Sequence, residues 1–398
     1  LRRDISSISL QDPAASSSRA RTKRVYDFLV ITSGRGVASS PFFLVSRSLR
    51  SEFIDRRVHY TTHVKMAEGP EKTLTAALRR EHGGRVLSVQ SHVVHGYAGN
   101  KCAVLPLQLH GYDVSPLFTV HFSNHTGYGF LRGDRLNGDQ LRELYKGLSH
   151  NNLTEYTHVL AGYCGEPGFL SVLGEVVADL KDKNPNLKFV CDPVMGDNGA
   201  WYVPKELLPV YLEKVVPLAD TLTPNAFELQ LLSGLDCDTE ELCRKAIQRL
   251  HARGPTTIVV TSGVPSPDPK KLVCLASRHK GGQSEAYRLA FCVTECERNS
   301  TTRFSFTKKD GIFVGTGDVF AALLLTQLDE NQENLAEAVH RTLASVQALI
   351  KKTSQAIEGC ENPTWAQREL KLVAARADLL IPPEEELREV VVEKLTVN

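Results

Sequence analysis

Strands alternating with amphipathic helices, from about residue 84 to the end of the chain, predict a doubly wound α/β fold. In such a fold one mostly parallel sheet carries helices on both faces. Two observations carry this expectation. Apolar runs such as Arg85–Gln90, Tyr156–Tyr163, Asn186–Cys191 and Thr256–Val260 have strand length, and segments with apolar residues at helical spacing separate them. Polar clusters follow the ends of these runs, and in an open parallel sheet such clusters line the crevice beyond the carboxyl ends of the strands. With 398 residues, 42% hydrophobic and 23% charged, the composition is that of a globular protein of one large domain or two smaller ones.

Arg85–Gln90 alternates into the first strand, and Ser91–Asn100 is the loop and helix start after it. Ser91 is therefore placed to bond a ligand, whereas His92 and His95 fit surface or capping roles better. Val114–His121 leads into Phe122–Gly129, a glycine-containing polar loop that suits a lid or a substrate contact. Asp139–Leu148 is a helix with Leu141, Leu144 and Leu148 on one face, and Gly168–Lys181 is another, with Leu170, Val172, Val176, Val177 and Leu180 inward. Asn186–Cys191 ends at Asp192-Pro193-Val194-Met195-Gly196-Asp197, and Ala219–Thr223 at Pro224-Asn225-Ala226-Phe227-Glu228. Asn225 and Glu228 read either as a helix cap with a first-turn acid or as a further polar cluster of the crevice. Helix Asp238–Gly254 and strand Thr256–Val260 end at Thr261-Ser262-Gly263. Residues 272–276 and 286–294 suggest a hairpin beside the sheet. Ile312–Val314 reads as the end of a buried strand and Gly317 onward as a helix. Glu333–Lys352 is a further helix, and Leu370–Leu380 a last helix-and-strand unit before an acidic, exposed tail.

The chemistry centres on Val314-Gly315-Thr316-Gly317-Asp318. A turn entering a helix here points backbone N–H groups and the positive helix end at an anion, and glycines let a phosphate approach closely. A carboxylate at the same turn then touches whatever reacts with that phosphate, the pairing that phosphoryl transfer to an alcohol requires. The plainer alternative is that Gly315 and Gly317 shape a turn and Asp318 stabilises the helix. Asp192 and Asp197, two carboxylates at one strand end, call for a cation between them, and Mg²⁺ carried by nucleotide phosphates is the natural one. GxxxxGK[ST] is absent, and Phe320 stands where a dinucleotide fingerprint needs its third glycine.

Residues 1–65 carry twelve Lys/Arg against five Asp/Glu, a net +7, so the remainder is −6 within a formal total of +1. The acidic body argues against nucleic acid as the main partner. No apolar run is long enough to span a membrane. The first 65 residues are Ser/Arg-rich and the first methionine is Met66. Residues 1–83 are accordingly expected to be a disordered or non-native extension with Met66 the true start, and residues 84–398 the folded domain. An organelle transit peptide or a basic arm is the alternative for the extension. The nine cysteines form no CxxC pair and read as reduced thiols of a cytoplasmic protein.

Several motifs together resemble the pyridoxal kinase family of the ribokinase-like superfamily, from about Arg85 to the C-terminus. They are Ser88-Val89-Gln90-Ser91-His92-Val93 with Gly96-Tyr97-Ala98-Gly99-Asn100, Phe122-Ser123-Asn124-His125-Thr126-Gly127-Tyr128, Cys191–Asp197, Tyr202-Val203-Pro204, Leu207–Ala219, Thr223-Pro224-Asn225 and Gly315–Asp318. The resemblance implies a ribokinase-like fold and ATP-dependent phosphorylation of the 5′-hydroxymethyl group of pyridoxal, pyridoxine and pyridoxamine. It implies Asp318 as catalytic base, with Gly315, Thr316 and Gly317 as the anion hole, and Ser91, Thr126 and Tyr163 around the pyridine ring. It implies Asp192, Asn225, Glu228, Thr261, Ser262 and Thr316 as ATP contacts, and Asp192, Asp197, Thr223, Glu228 and Thr261 on the metal side. Mg²⁺ with ATP, K⁺ or Na⁺ as activating cation and a homodimer follow from the same resemblance. Between Ser284 and Gly311 the chain is longer than the family pattern, with Ala290–Arg303 as the insert, either a longer surface hairpin or unspliced sequence. A kinase of another small alcohol, such as a hydroxymethylpyrimidine or a nucleoside, and a catalytically silent pyridoxal phosphate-binding protein are the competing readings.

Overall fold

A computed structural model of the chain describes residues 70–79, 82–268, 271–292 and 313–396. The expectations for residues 1–65, for Met66 as the start and for most of the insert at 290–303 lie outside the described residues. Helix α1 (Pro70–Leu78) precedes strand β1 (Arg85–Val93), α2 (Asn100–Leu109), β2 (Asp113–Phe122) and β3 (Gly133–Arg135). Then come α3 (Gly138–His150), β4 (His158–Ala161), α4 (Pro167–Lys183), β5 (Lys188–Cys191) and a small hairpin, β6 (Gly196–Asp197) and β7 (Ala200–Trp201). The middle holds α5 (Leu207–Val210), β8 (Thr221–Leu222), α6 (Ala226–Ser233), α7 (Glu240–His251) and β9 (Thr257–Val260). The chain continues through β10 (Lys271–Lys280), β11 (Gln283–Cys292), α8 (Thr316–Glu330) and α9 (Leu335–Gln355). It closes with α10 (Trp365–Arg368), α11 (Arg376–Leu380), α12 (Glu384–Glu389) and β12 (Val391–Leu395).

Ten strands form one sheet in the order β12-β11-β10-β9-β8-β5-β4-β1-β2-β3. The six from β9 to β2 run parallel, and antiparallel strands finish both edges. This is the expected doubly wound sheet. The period-2 alternation of each strand divides its side chains between two cores. Leu87, Val89, Val159, Phe189, Ile258 and Val260 pack with α4, α6 and α7 on one face. Val86, Leu160 and Val190 meet α2 and α8 on the other, where Val259 joins α8 and α9. Strands buried on both faces carry near-continuous apolar runs, which is why these four-residue segments were readable.

Several expectations are corrected. β1 does not stop at Gln90 but continues to Val93, with a register shift against β2 between Gln90 and His92 that re-aims Ser91. Phe313 and Val314 are not strand but the approach to a turn, and Ile312 lies outside the described residues. The hairpin β10–β11 is not beside the sheet but part of it. The acidic tail is not a free exposed end. It forms α12, where Glu386 is buried against Lys351 Nζ at 3.0 Å, and then β12, which pairs with β11. The unit read at Leu370–Leu380 holds only the short α11, its strand being β12 further on. α1 lies within the segment 1–83 that was expected to be unstructured, but none of its described side chains is buried.

Candidate active site

β1, β4, β5, β8 and β9 end side by side, and the residues just beyond those ends are the ones the sequence singled out. Tyr163 follows β4, Asp192 follows β5, Thr223 follows β8 and Thr261 follows β9, while Ser91 sits at the irregular end of β1. Facing them is the N-terminus of α8. Gly315 caps it at φ 93°, and among the described residues no side chain caps it. The first-turn amides have no intrahelical partner and point into the crevice. A Cβ on Gly315 would lie 2.5 Å from Cys102 Sγ, so both the backbone angle and the space exclude other residues.

Asp318 stands in the first turn of α8, and its Oδ2 accepts a 2.7 Å hydrogen bond from the Gly99 N–H. The residue is half-buried. Burial raises its pKa to about 6 against the opposing Gly99 bond. Gly99 in turn lies on Ser91, where a Cβ would come 2.1 Å from the Ser91 carbonyl oxygen. A Cβ on Gly317 would sit 3.7 Å from Asp192 Oδ2, so the turn and the acid after β5 are neighbours. Asp192 is buried, and its pKa is pushed well up by burial and by the charges of Glu228 and Asp318.

Glu228 organises the far side. Its Oε1 accepts the Met195 N–H at 2.9 Å and its Oε2 the Asn225 N–H at 2.9 Å, while Asn225 Oδ1 accepts the Glu228 N–H. That reciprocal pair is a capping box. Asn225 Nδ2 also donates to the Gly196 carbonyl at 2.7 Å, so the cap ties α6 to the β6–β7 hairpin. Burial raises Glu228 to about 7 despite its hydrogen bonds. Thr261 donates its N–H to the Pro224 carbonyl and Ser262 accepts from the Ala226 N–H, so both adjoin the same cap. Asp197 lies at the rim with its carboxylate engaged by Asn198. A buried Asp192 raised by the charges of Glu228 and Asp318, with the buried Thr223 hydroxyl beside its carboxylate, fits a cation. Among the described residues no group of three or more His, Cys, Asp or Glu is set to hold a metal by itself.

On the opposite side, Val93, Ala98, Val120 and Phe122 form a small apolar cluster with Tyr163, Leu131 and Val314 packed on it. It ends one residue before Gly315 and makes an apolar wall beside the turn. Thr126 is exposed in the 123–129 loop. His95 is exposed, in keeping with a surface role, whereas His92 is half-buried and stacks on Phe118 at 4.1 Å. Sequence reasoning missed Gly99 as the partner of Asp318, and it missed Glu369 altogether. Glu369 lies far along the chain and accepts from Tyr97, His125 and Tyr128.

The sheet order, the glycine turn at the head of α8 and the acids opposite it define a ribokinase-like protein. Residues 170–365 match the family model described as phosphomethylpyrimidine kinase. The human pyridoxal kinase is 42% identical over 309 residues, 75% of this chain and 96% of that one. The Arabidopsis thaliana pyridoxal kinase is 44% identical over 300 residues, covering 75% of this chain and 92% of that one. The solved pyridoxal kinase of Leishmania donovani, in complex with ADP and pyridoxamine, superposes with a TM-score of 0.69 at 32% identity, covering 78% of this chain and 99% of that one. The chain belongs to the pyridoxal kinase family.

Proposed function

We propose that the protein transfers the γ-phosphoryl group of ATP to the 5′-hydroxymethyl group of pyridoxal, and also of pyridoxine and pyridoxamine, giving the 5′-phosphate and ADP. The observation that carries this reading is the half-buried Asp318 carboxylate, held by the Gly99 N–H, in the same helical turn as the uncapped amides of Gly315–Gly317. The alcohol is not ionised at neutral pH, so Asp318 accepts its proton as the new O–P bond forms and the bond to ADP breaks. Amides of Gly315, Thr316 and Gly317 receive the charge on the transferring group. Ser91, Thr126 and Tyr163 hold the pyridine ring beside the apolar wall, and alignment supplies much of the rate.

On the nucleotide side, Asn225, Glu228, Thr261, Ser262 and Thr316 contact ATP. Asp192, Asp197, Thr223 and Glu228 face the divalent cation, which neutralises phosphate charge when bound. Asp192, Thr223 and Thr261 surround K⁺ or Na⁺, a reading supported by the buried Thr223 hydroxyl beside the Asp192 carboxylate. The remaining parts of the proposal are a homodimer and a cytoplasmic location. Free thiols at the described cysteines are compatible with that location. No described helix is long and apolar enough to cross a membrane. We also propose residues 84–398 as the kinase domain and residues 1–83 as an extension outside it.

A second reading, phosphorylation of a hydroxymethylpyrimidine, draws on the family model that matches residues 170–365. That span begins after Ser91, Thr126 and Tyr163, so it speaks for the nucleotide half rather than for the ring pocket. The test is a competition assay with both alcohols at equal concentration. The pyridoxal reading requires pyridoxal phosphate as the main product, and a majority of pyrimidine phosphate contradicts it.

A further inference from the structure

Glu369 is a nearly buried carboxylate that the proposed mechanism does not use, and it gathers three donors from two separate loops. Its Oε2 accepts the Tyr97 N–H at 2.8 Å, and its Oε1 accepts the Tyr128 hydroxyl at 3.0 Å and faces His125 Nε2 at 3.2 Å. His125 Nδ1 accepts the Gly127 N–H at 3.1 Å, so the imidazole proton resides on Nε2 and points at Glu369. Burial works against the charge, but the bonds from His125, Tyr97 and Tyr128 outweigh it and hold Glu369 below the usual carboxylate range. Trp365 stands edge-on to His125 at 5.5 Å and covers the same loop. The segment itself is fixed. Leu370 is buried in the α8–α9 core, and the Lys371 N–H donates to Thr353 Oγ1 on α9 at 3.1 Å. A Cβ on Gly96 would lie 2.0 Å from Glu369 Oε1, so the carboxylate fills the space that only glycine leaves.

Each loop so held carries a residue of the proposed site. Thr126 lies between His125 and Gly127, both pinned. Gly99 lies two residues after Tyr97 and donates to Asp318. Leu370 Cδ1 comes 3.3 Å from where a Cβ on Gly315 would be, so the same segment also borders the anion turn.

We infer that Glu369 is a positioning residue: its carboxylate docks the 123–129 loop and the 96–99 turn on one support, and so sets the vitamer contact Thr126 against the base Asp318. Glutamine cannot replace it, because one acceptor oxygen and an NH₂ group cannot receive three donors. The kinetic part of this inference rests on the vitamer-kinase reading, whereas the docking part does not.

The test compares wild-type full-length protein with Glu369→Gln and with the milder Tyr128→Phe. Glu369→Gln is expected to raise KM for pyridoxal about tenfold or more while KM for ATP moves less than about twofold, and Tyr128→Phe to give a smaller shift in the same direction. Hydrogen exchange, which needs no turnover, is expected to quicken at residues 96–99 and 123–129 in Glu369→Gln and to stay unchanged in α4. Equal changes in both KM values, or a lowered melting temperature with unchanged kinetics, overturn the positioning role, as does unchanged exchange in both loops. If wild type makes no pyridoxal phosphate while the exchange change is seen, the docking stands and the vitamer reading fails.

Discussion

Gly99 donates its backbone N–H to Asp318 Oδ2 at 2.7 Å, joining the turn after β1 to the head of α8 across 219 positions of sequence. Gly99 holds φ 54° and ψ −123°, and a Cβ there would lie 2.4 Å from Ser91 Oγ as well as against the Ser91 carbonyl. One glycine therefore fixes the proposed ring contact and the proposed base together.

Gly99→Ala is expected to lower kcat/KM for pyridoxal about a hundredfold, since displacements on the ångström scale at a reacting pair cost that much. Steady-state kinetics with a melting curve checks this. A variant with wild-type kinetics contradicts the link.

The pH dependence follows from Asp318 at about 6, Glu228 at about 7 and Asp192 raised by burial and its acidic neighbours. Above the ordinary carboxylate range and below these values, the folded protein holds protons that the unfolded chain has lost. These three groups therefore contribute stability that grows as pH falls from neutral toward 5, opposed by His82, His92 and His251, whose burial lowers their pKa. The stabilisation by Mg²⁺ with a non-hydrolysable ATP analogue is expected to be larger at pH 7.5 than at pH 5.5, because the cation requires ionised acids. Catalysis runs the other way, with kcat/KM falling as pH drops through about 6 and Asp318 is protonated. Thermal shift and pH–rate profiles read both trends.

At the other end of α8, about 16 Å from Asp318 by helix rise, Asp329 accepts the Tyr112 hydroxyl at 2.8 Å and faces His158 Nε2 at 3.1 Å. These bonds fasten α8 to β4 and to the start of β2. Asp329→Ala is expected to cost about 1–3 kcal/mol of stability while leaving kcat within about twofold. Urea unfolding and kinetics at low temperature separate the two effects.

Thr223→Val keeps the shape and removes the buried hydroxyl beside Asp192. Activation by K⁺ is expected to weaken several-fold, on the order of the loss of one oxygen ligand, with the Mg²⁺ dependence little changed. A K⁺ titration at fixed Mg-ATP reads this.

The sheet was legible because its central strands are buried on both faces and spell unbroken apolar runs. The candidate site was legible where it follows those strands, with Asp192, Thr223, Asn225 and Thr261 brought to the Gly315–Asp318 turn. The edge of the sheet was less so. β12 reads Val-Val-Glu-Lys-Leu and exposes most of its side chains, so its place depends on pairing with β11 rather than on a buried pattern. The bulge at Ser91 and the bond from Gly99 are backbone features with no local signature beyond a glycine. Glu369 was illegible for a different reason. Its three donors come from segments more than two hundred positions away, and only the folded chain brings them to one carboxylate.

The most direct measurement is pyridoxal phosphate formation, followed by absorbance with ATP, Mg²⁺ and K⁺, by the wild-type chain and by Asp318→Asn. Wild type is expected to turn over, and the variant to lose about a thousandfold in kcat with pyridoxal binding by calorimetry retained. A folded wild-type protein that binds pyridoxal without forming product, or an Asp318→Asn variant with near-normal kcat, contradicts the assignment of Asp318 as the base of a vitamer kinase.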